Sequence, residues 1–147
     1  MKRKALIIGC LALLVAGTAA KEPETLEQLK ARADATQGER RPGLCAEVLQ
    51  REIEVANQLF AAGEAEKAHA MIKEALTYAA KARDSALEQP TKTKPTEIAL
   101  RKAEHRLNDI RRTLALEDQP EIQAAVDQLA AMRKQLLDLM FAPKRKR

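Results

Sequence analysis

The chain has 147 residues, of which 46% are hydrophobic and 32% charged, and its formal net charge is +5. This length suffices for one small domain, and three aromatic side chains without any Trp predict an aliphatic, Ala-rich core. The positive charge is concentrated at the two ends, because residues 21–143 carry a net charge of −2. We therefore expect no basic patch for nucleic acid on the fold itself.

Residues 1–20 have the three-part order of a secretory signal peptide: three cations at residues 2–4, an apolar run, and a small-residue exit at residues 17–20. We expect cleavage near Ala20 and a periplasmic or secreted mature chain that does not span a membrane. Two alternatives stay open. An uncleaved anchor would need about 20 apolar residues, and Cys10 after a glycine resembles a lipoprotein signal, although the apolar run continues past it.

Cys45 is the only cysteine that remains after cleavage, so no intramolecular disulfide can staple the mature chain. A lone cysteine in an oxidising compartment is either buried or paired between chains. Cys45 lies three residues before Val48 on a helical apolar pattern, which favours burial.

Apolar residues recur at helical spacing in the mature chain, and breakers separate a weak N-terminal helix from four long helices. Short links make sequential helices antiparallel. The sequence therefore predicts an all-α antiparallel helical bundle at residues 44–141, preceded by a weak helix and linker at residues 21–43 and followed by a basic tail at residues 142–147. The predicted helices cover residues 24–36, 42–62, 64–88, 95–116 and 120–141.

Each long helix has an apolar face that is expected to be buried. The third helix carries a seam made almost wholly of Ala, whose short side chains let a partner helix approach closely. Asp118 and Glu121 are predicted to cap the last helix reciprocally. The seam of the third helix is Ala65, Ala68, Ile72, Ala75, Ala79, Ala82 and Ala86; the stripe of the fourth is Leu100, Ala103, Leu107, Ile110 and Leu114; that of the fifth is Ile122, Val126, Leu129, Met132, Leu136 and Leu139 or Met140.

The second and third helices carry small residues and a turn glycine in a specific order, namely Ala56, Gly63, Ala68 and Ala75, with larger side chains at Leu59, Phe60 and Ile72. In this pattern residues 44–77 resemble a single tetratricopeptide repeat. Glu52 departs from the family pattern, which usually has an aromatic residue there, and no second copy follows. The resemblance implies a helical hairpin within a bundle, and protein or peptide binding; the alternative is an ordinary antiparallel helix pair.

Catalytic and metal-binding patterns are not found. His69 and His105 lie on different helices, and neither has a second ligand at metal-binding spacing, so each is expected to be solvated. Cys45 has no evident His partner for thiol catalysis. The sequence also lacks a haem-attachment motif, a phosphate-binding loop and a nucleophile elbow. We therefore expect no enzyme activity, no cofactor and no metal.

Two groups of basic residues are candidates for interaction. The tail Lys144, Arg145, Lys146 and Arg147 could dock on an anionic envelope surface, and the alternative is a solubilising end. Arg101, His105 and Arg112 fall on one side of the fourth helix and could face an anion. The alternative there is a solvated face on which Glu97 pairs with Arg101.

These patterns favour an exported, non-enzymatic helical interaction or scaffold protein of the periplasm or cell envelope, with an unidentified protein or peptide as its partner. The alternative is a helical bundle that binds a small ligand or cofactor.

Overall fold

A computed structural model describes residues 22–143 of the chain. The predicted signal peptide with Cys10, and the basic tail at residues 144–147, lie outside the described residues. The described part has no strand and consists of a 3₁₀ turn at Gly38–Arg40 and five α-helices: α1 (Leu26–Ala35), α2 (Arg41–Ala61), α3 (Ala65–Leu87), α4 (Pro90–Thr113) and α5 (Gln119–Phe141).

Two helical hairpins, α2–α3 and α4–α5, pack against each other as a bundle of four long helices, and α1 packs on α2. The links within the hairpins are short. Gly63 between α2 and α3 has φ +76°, a left-handed conformation that side chains with a β-carbon disfavour. The predicted all-α antiparallel bundle is confirmed.

The main core lies between the two hairpins and is aliphatic. The Ala seam predicted on α3 is buried, since Ala68, Ala75 and Ala79 are at most 1% exposed. Large buried side chains from the other three helices pack around it: Leu49, Ile53, Leu100, Leu107, Ile122, Leu129 and Leu136. The close approach of the helices therefore follows from short side chains on α3 and longer ones on its neighbours.

On α5 the buried stripe ends at Leu136, because Leu139 and Met140 are 41% and 36% exposed. The prediction that one of these two residues continues the stripe is therefore wrong. The physical reason is that the neighbouring helices stop at this level: α3 ends at Leu87 and α4 begins at Pro90.

The N-terminal helix α1 is held by a second, smaller apolar cluster and by polar contacts. Leu29 and Ala33 are fully buried beside Cys45 and Tyr78. Asp34 accepts hydrogen bonds from the Tyr78 hydroxyl at 3.0 Å and from Lys81 Nζ at 2.6 Å. These contacts anchor α1 although its apolar pattern is short. Cys45 is fully buried, as predicted.

Helix α4 begins at Pro90, five residues before the predicted start at Pro95. Pro90 occupies the first helical position, where no intrahelical partner exists for an amide N–H in any case. Pro95 removes only the donor that would bind the carbonyl of Thr91, an exposed residue that water can reach. The Thr93 hydroxyl also donates to the carbonyl of Ala86 at 3.3 Å and ties this first turn to α3.

Candidate functional site

A shallow groove runs between α2 and the first half of α4, and we call it the α2/α4 groove. It consists of two adjoining cavities of about 480 Å³ and 400 Å³ that share Ala46, Pro95 and Ala99. Their lining is mainly apolar and comes from the 3₁₀ turn, from α2 and from α4, which does not follow α2 directly in the chain. The other lining residues are Glu39, Arg40, Pro42, Gly43, Leu44, Glu47, Gln50, Lys92, Thr96, Ile98 and Lys102.

The groove stays open because small residues lie where α2 and α4 approach each other. A β-carbon at Gly43 would meet no other atom within 4 Å, so this position faces open space. Gln50 of α2 donates a hydrogen bond of 3.0 Å to the carbonyl of Ala99 and so links the two walls. The groove therefore offers apolar surface on a fixed helical frame, as in sites that receive a helix or an extended peptide.

The rim of the groove is charged, and its unpaired charges are positive. Lys92 Nζ lies 3.8 Å from Glu39 Oε2, and Glu47 pairs with Arg51 at 3.0 Å. Arg40 and Lys102 have no ion-pair partner among residues 22–143. An acidic group on a partner could therefore pair with these two cations, while its apolar groups occupy the floor.

The stripe predicted on the fourth helix does not line this groove. Arg101, His105 and Arg112 are all exposed on one side of α4. Arg101 lies 3.8 Å from Glu97, so the predicted pair on this helix is present, and Arg112 lies 3.5 Å from Asp109. The role of the stripe in binding stays a prediction, as does that of the tail, which lies outside the described residues.

His69 is not a solvated residue, so that prediction is wrong. Its side chain is 13% exposed and packs edge-on against Phe60, with ring centroids 5.1 Å apart. Nε2 lies 3.2 Å from Asp118 Oδ1, and Nδ1 lies 3.3 Å from Glu121 Oε2. The start of α5 is adjacent to this part of α3, so both carboxylates meet His69, and Asp118 makes no side-chain cap. The predicted reciprocal cap is therefore also wrong.

Glu52 is a buried carboxylate that the sequence pattern did not single out as a site. It is 0% exposed, and Lys30 Nζ lies 3.5 Å from Oε1. Lys30 also pairs with Glu74 at 2.5 Å. Burial, and next the negative charge of Glu74, raise the pKa of Glu52 to about 7, although the Lys30 cation opposes them. The heptad spacing from Cys45 and Val48 could have indicated that Glu52 faces the core.

Glu52 itself is closed to solvent, whereas its neighbours Lys30 and Glu74 are 13% and 43% exposed. Within the described residues no group of three or more His, Cys, Asp or Glu side chains has the arrangement of a metal site. A bilayer-spanning segment is not found there either, since every described helix is too short or too polar for that role.

Compared with protein-family models, with curated proteins and with solved structures, the chain matches none of them.

Proposed function

We propose that this chain is an exported, non-enzymatic helical interaction protein of the periplasm or cell envelope, and that it binds a protein or peptide partner in the α2/α4 groove. The observation that carries the proposal is the groove itself. Its floor is apolar and open at Gly43, its walls are two packed helices, and Arg40 and Lys102 leave unpaired positive charge on its rim. Partners of this kind would present apolar side chains together with acidic ones.

The resemblance of residues 44–77 to one tetratricopeptide repeat supports the same class of function, since it implies protein or peptide binding. The small residues of that pattern, Ala56, Ala68 and Ala75, are at most 1% exposed, so they serve the helix contact and leave binding to other faces of the hairpin. One wall of the groove belongs to α2, the first helix of that hairpin.

A site-specific photocross-linker tests the groove in cells that express the whole chain. A photoreactive residue at Ala99, in the groove, should give a defined higher-mass adduct. The same residue at Ala131, which is exposed on α5 outside the groove, is the matched control and should give none. No adduct from Ala99, or identical adducts from both positions, would contradict the proposal.

Gly43→Leu provides a blocking variant for this experiment. A leucine side chain would project into open space in the groove, and replacing a helical glycine should leave stability unchanged or raise it by about 1 kcal/mol or less. We expect the Ala99 adduct to disappear while the thermal midpoint holds. A persistent adduct in the Gly43→Leu background would place the partner outside the groove.

The alternative, a small-ligand-binding bundle, predicts a different observation. Native mass spectrometry and an optical spectrum of freshly purified protein would then show a bound small molecule, which Gly43→Leu would displace. A mass equal to that of the polypeptide alone would favour the protein-binding function.

A further inference from the structure

The last turn of α5 is an apolar surface that the bundle leaves largely uncovered. Leu139, Met140 and Phe141 are 41%, 36% and 78% exposed. Among residues 22–143 only Leu87 and Leu116 are other large apolar side chains with comparable exposure. Three consecutive exposed apolar residues at one helix end are unusual for a surface that meets only water.

The antiparallel pairing of α4 and α5 determines what lies beside this turn. Arg133 of α5 lies 3.6 Å from Glu97 and 3.0 Å from Glu104 of α4, which sets the register between the helices. This register places the end of α5 beside the first turns of α4, where Lys92 and Lys94 lie, and α3 also ends here at Leu87.

Among the described residues the charges around the end of α5 are mixed, and the sequence that follows adds four cations. Asp138, the acidic residue in the last turn, is paired with Lys134 at 2.6 Å. Glu88 is an exposed acidic residue at the end of α3. In the sequence, Pro143 is followed at once by the four cations of the tail. In the sequence, exposed apolar residues are therefore followed closely by a basic cluster, and neither signal alone gives stable membrane attachment.

We propose that this end of the bundle docks on an anionic lipid surface, with Phe141 entering the interface between headgroups and acyl chains. We call the surface formed by Leu139, Met140 and Phe141 the α5 end. The four tail cations and Lys94 supply the attraction, at about fivefold in affinity for each cation near the surface. Partial burial of the Phe141 ring supplies a contribution to the binding free energy that salt does not screen. Lys94, Leu139, Met140 and Phe141 do not line the α2/α4 groove, so the two proposals can be tested separately.

Tryptophan fluorescence tests the proposal directly, because the chain contains no Trp. Phe141→Trp places the single indole at the α5 end. Leu116→Trp, at a residue that is 82% exposed near the opposite end of the bundle, is the matched control. Both proteins are expressed as the whole chain, so any contribution from residues 1–20 is common to them. The probes are phosphatidylcholine vesicles with or without phosphatidylglycerol.

We expect the emission of Phe141→Trp to shift to the blue when phosphatidylglycerol vesicles are added, and that of Leu116→Trp to stay unchanged. Phe141→Ser should weaken co-sedimentation with these vesicles by about tenfold, consistent with the apolar area lost. Deleting residues 144–147 should remove most of the difference in binding between about 0.01 M and 1 M salt, where the screening length falls from about 30 Å to 3 Å.

Three results would overturn the proposal. The first is an emission maximum of Phe141→Trp that vesicles do not change, and the second is an equal shift for the two Trp variants. The third is binding that the tail deletion abolishes and Phe141→Ser leaves intact, because attraction would then come from the cations alone. A loss of cross-linking at Ala99 would leave all three measurements unaffected.

Discussion

At the scale of single residues, Glu52 combines complete burial with a raised pKa. A carboxylate that is 0% exposed loses its hydration, and Lys30 at 3.5 Å compensates for only part of that loss. Lys30 is itself engaged by Glu74, and its hydrogen bonds to Glu74 and Glu27 raise the pKa of its ammonium group although burial lowers it. One cation thus serves three carboxylates, so it only partly offsets the burial and the Glu74 charge that raise the pKa of Glu52.

The protonation of Glu52 predicts a pH-dependent stability. In the unfolded chain Glu52 has its usual pKa of 4.5, and in the fold its pKa is about 7. Between these values the folded state holds a proton that the unfolded state has lost, so the free energy of unfolding falls as pH rises. The fall amounts to about 3 kcal/mol at most. Glu52→Gln should remove this contribution, as measured by urea denaturation across the same pH window.

Glu54→Gln is the matched control for that series. Glu54 lies two residues after Glu52 on α2. Its side chain is about half exposed and pairs with Arg106 at 2.9 Å on the surface. Its replacement should leave the pH dependence of the wild type in place, since exposed pairs contribute little. Identical pH profiles for Glu52→Gln and the wild type would contradict the assignment to Glu52.

His69 illustrates why residue environments are hard to read from sequence. Because His69 follows the buried Ala68 on α3, its position on the helix is compatible with either a partly buried or a solvated side chain. The covering groups, Asp118 and Glu121, are about 50 residues away in the chain, at the start of another helix. Local spacing carries no information on such a contact, so a sequence pattern could not predict it.

At the scale of elements, the Ala seam of α3 should tolerate no added bulk. Ala75 is 1% exposed in the main core, and Ala75→Leu would force neighbouring side chains out of their preferred rotamers. We expect the variant to be destabilised by about 1 to 3 kcal/mol. The measurement is the urea midpoint followed by helical circular dichroism.

Ala70→Leu on the same helix separates packing from helix propensity. Ala70 is exposed, so the same substitution there should change the free energy of unfolding by no more than about 0.5 kcal/mol. Equal midpoints for the two leucine variants would mean that the seam is not a close helix contact.

The start of α4 shows how context decides an element boundary. The two prolines in residues 89–95 predict a connector, because proline lacks an amide donor and disfavours helix in the residue before it. In the fold, Pro90 lies at the first helical position, where no amide donor is needed. Pro95, just over one turn later, removes a single backbone hydrogen bond. The Thr93 contact with α3 then stabilises this turn, and the early start of the helix adds Lys92 to the lining of the groove.

At the scale of the whole molecule, the proposed export predicts a specific N-terminus. The chain released by cells that express the full sequence should begin near Lys21, because the small-residue exit ends at Ala20. N-terminal sequencing of that material is the measurement. A full-length chain recovered in the membrane would establish an uncleaved anchor, and an acylated Cys10 would establish a lipoprotein.

The sequence by itself determined the helical class, the number of long helices, their approximate bounds and the face of each that is buried, including Cys45 and the Ala seam. These properties depend on spacing along one helix, which is local. Only the tertiary structure decided the α2/α4 groove, the pairing of His69 with α5, the ion pairing of Glu52 with Lys30 of α1 and the uncovered end of α5. Each of these arises where residues from different helices meet, and the distance between them is set by packing and not by their separation in the chain.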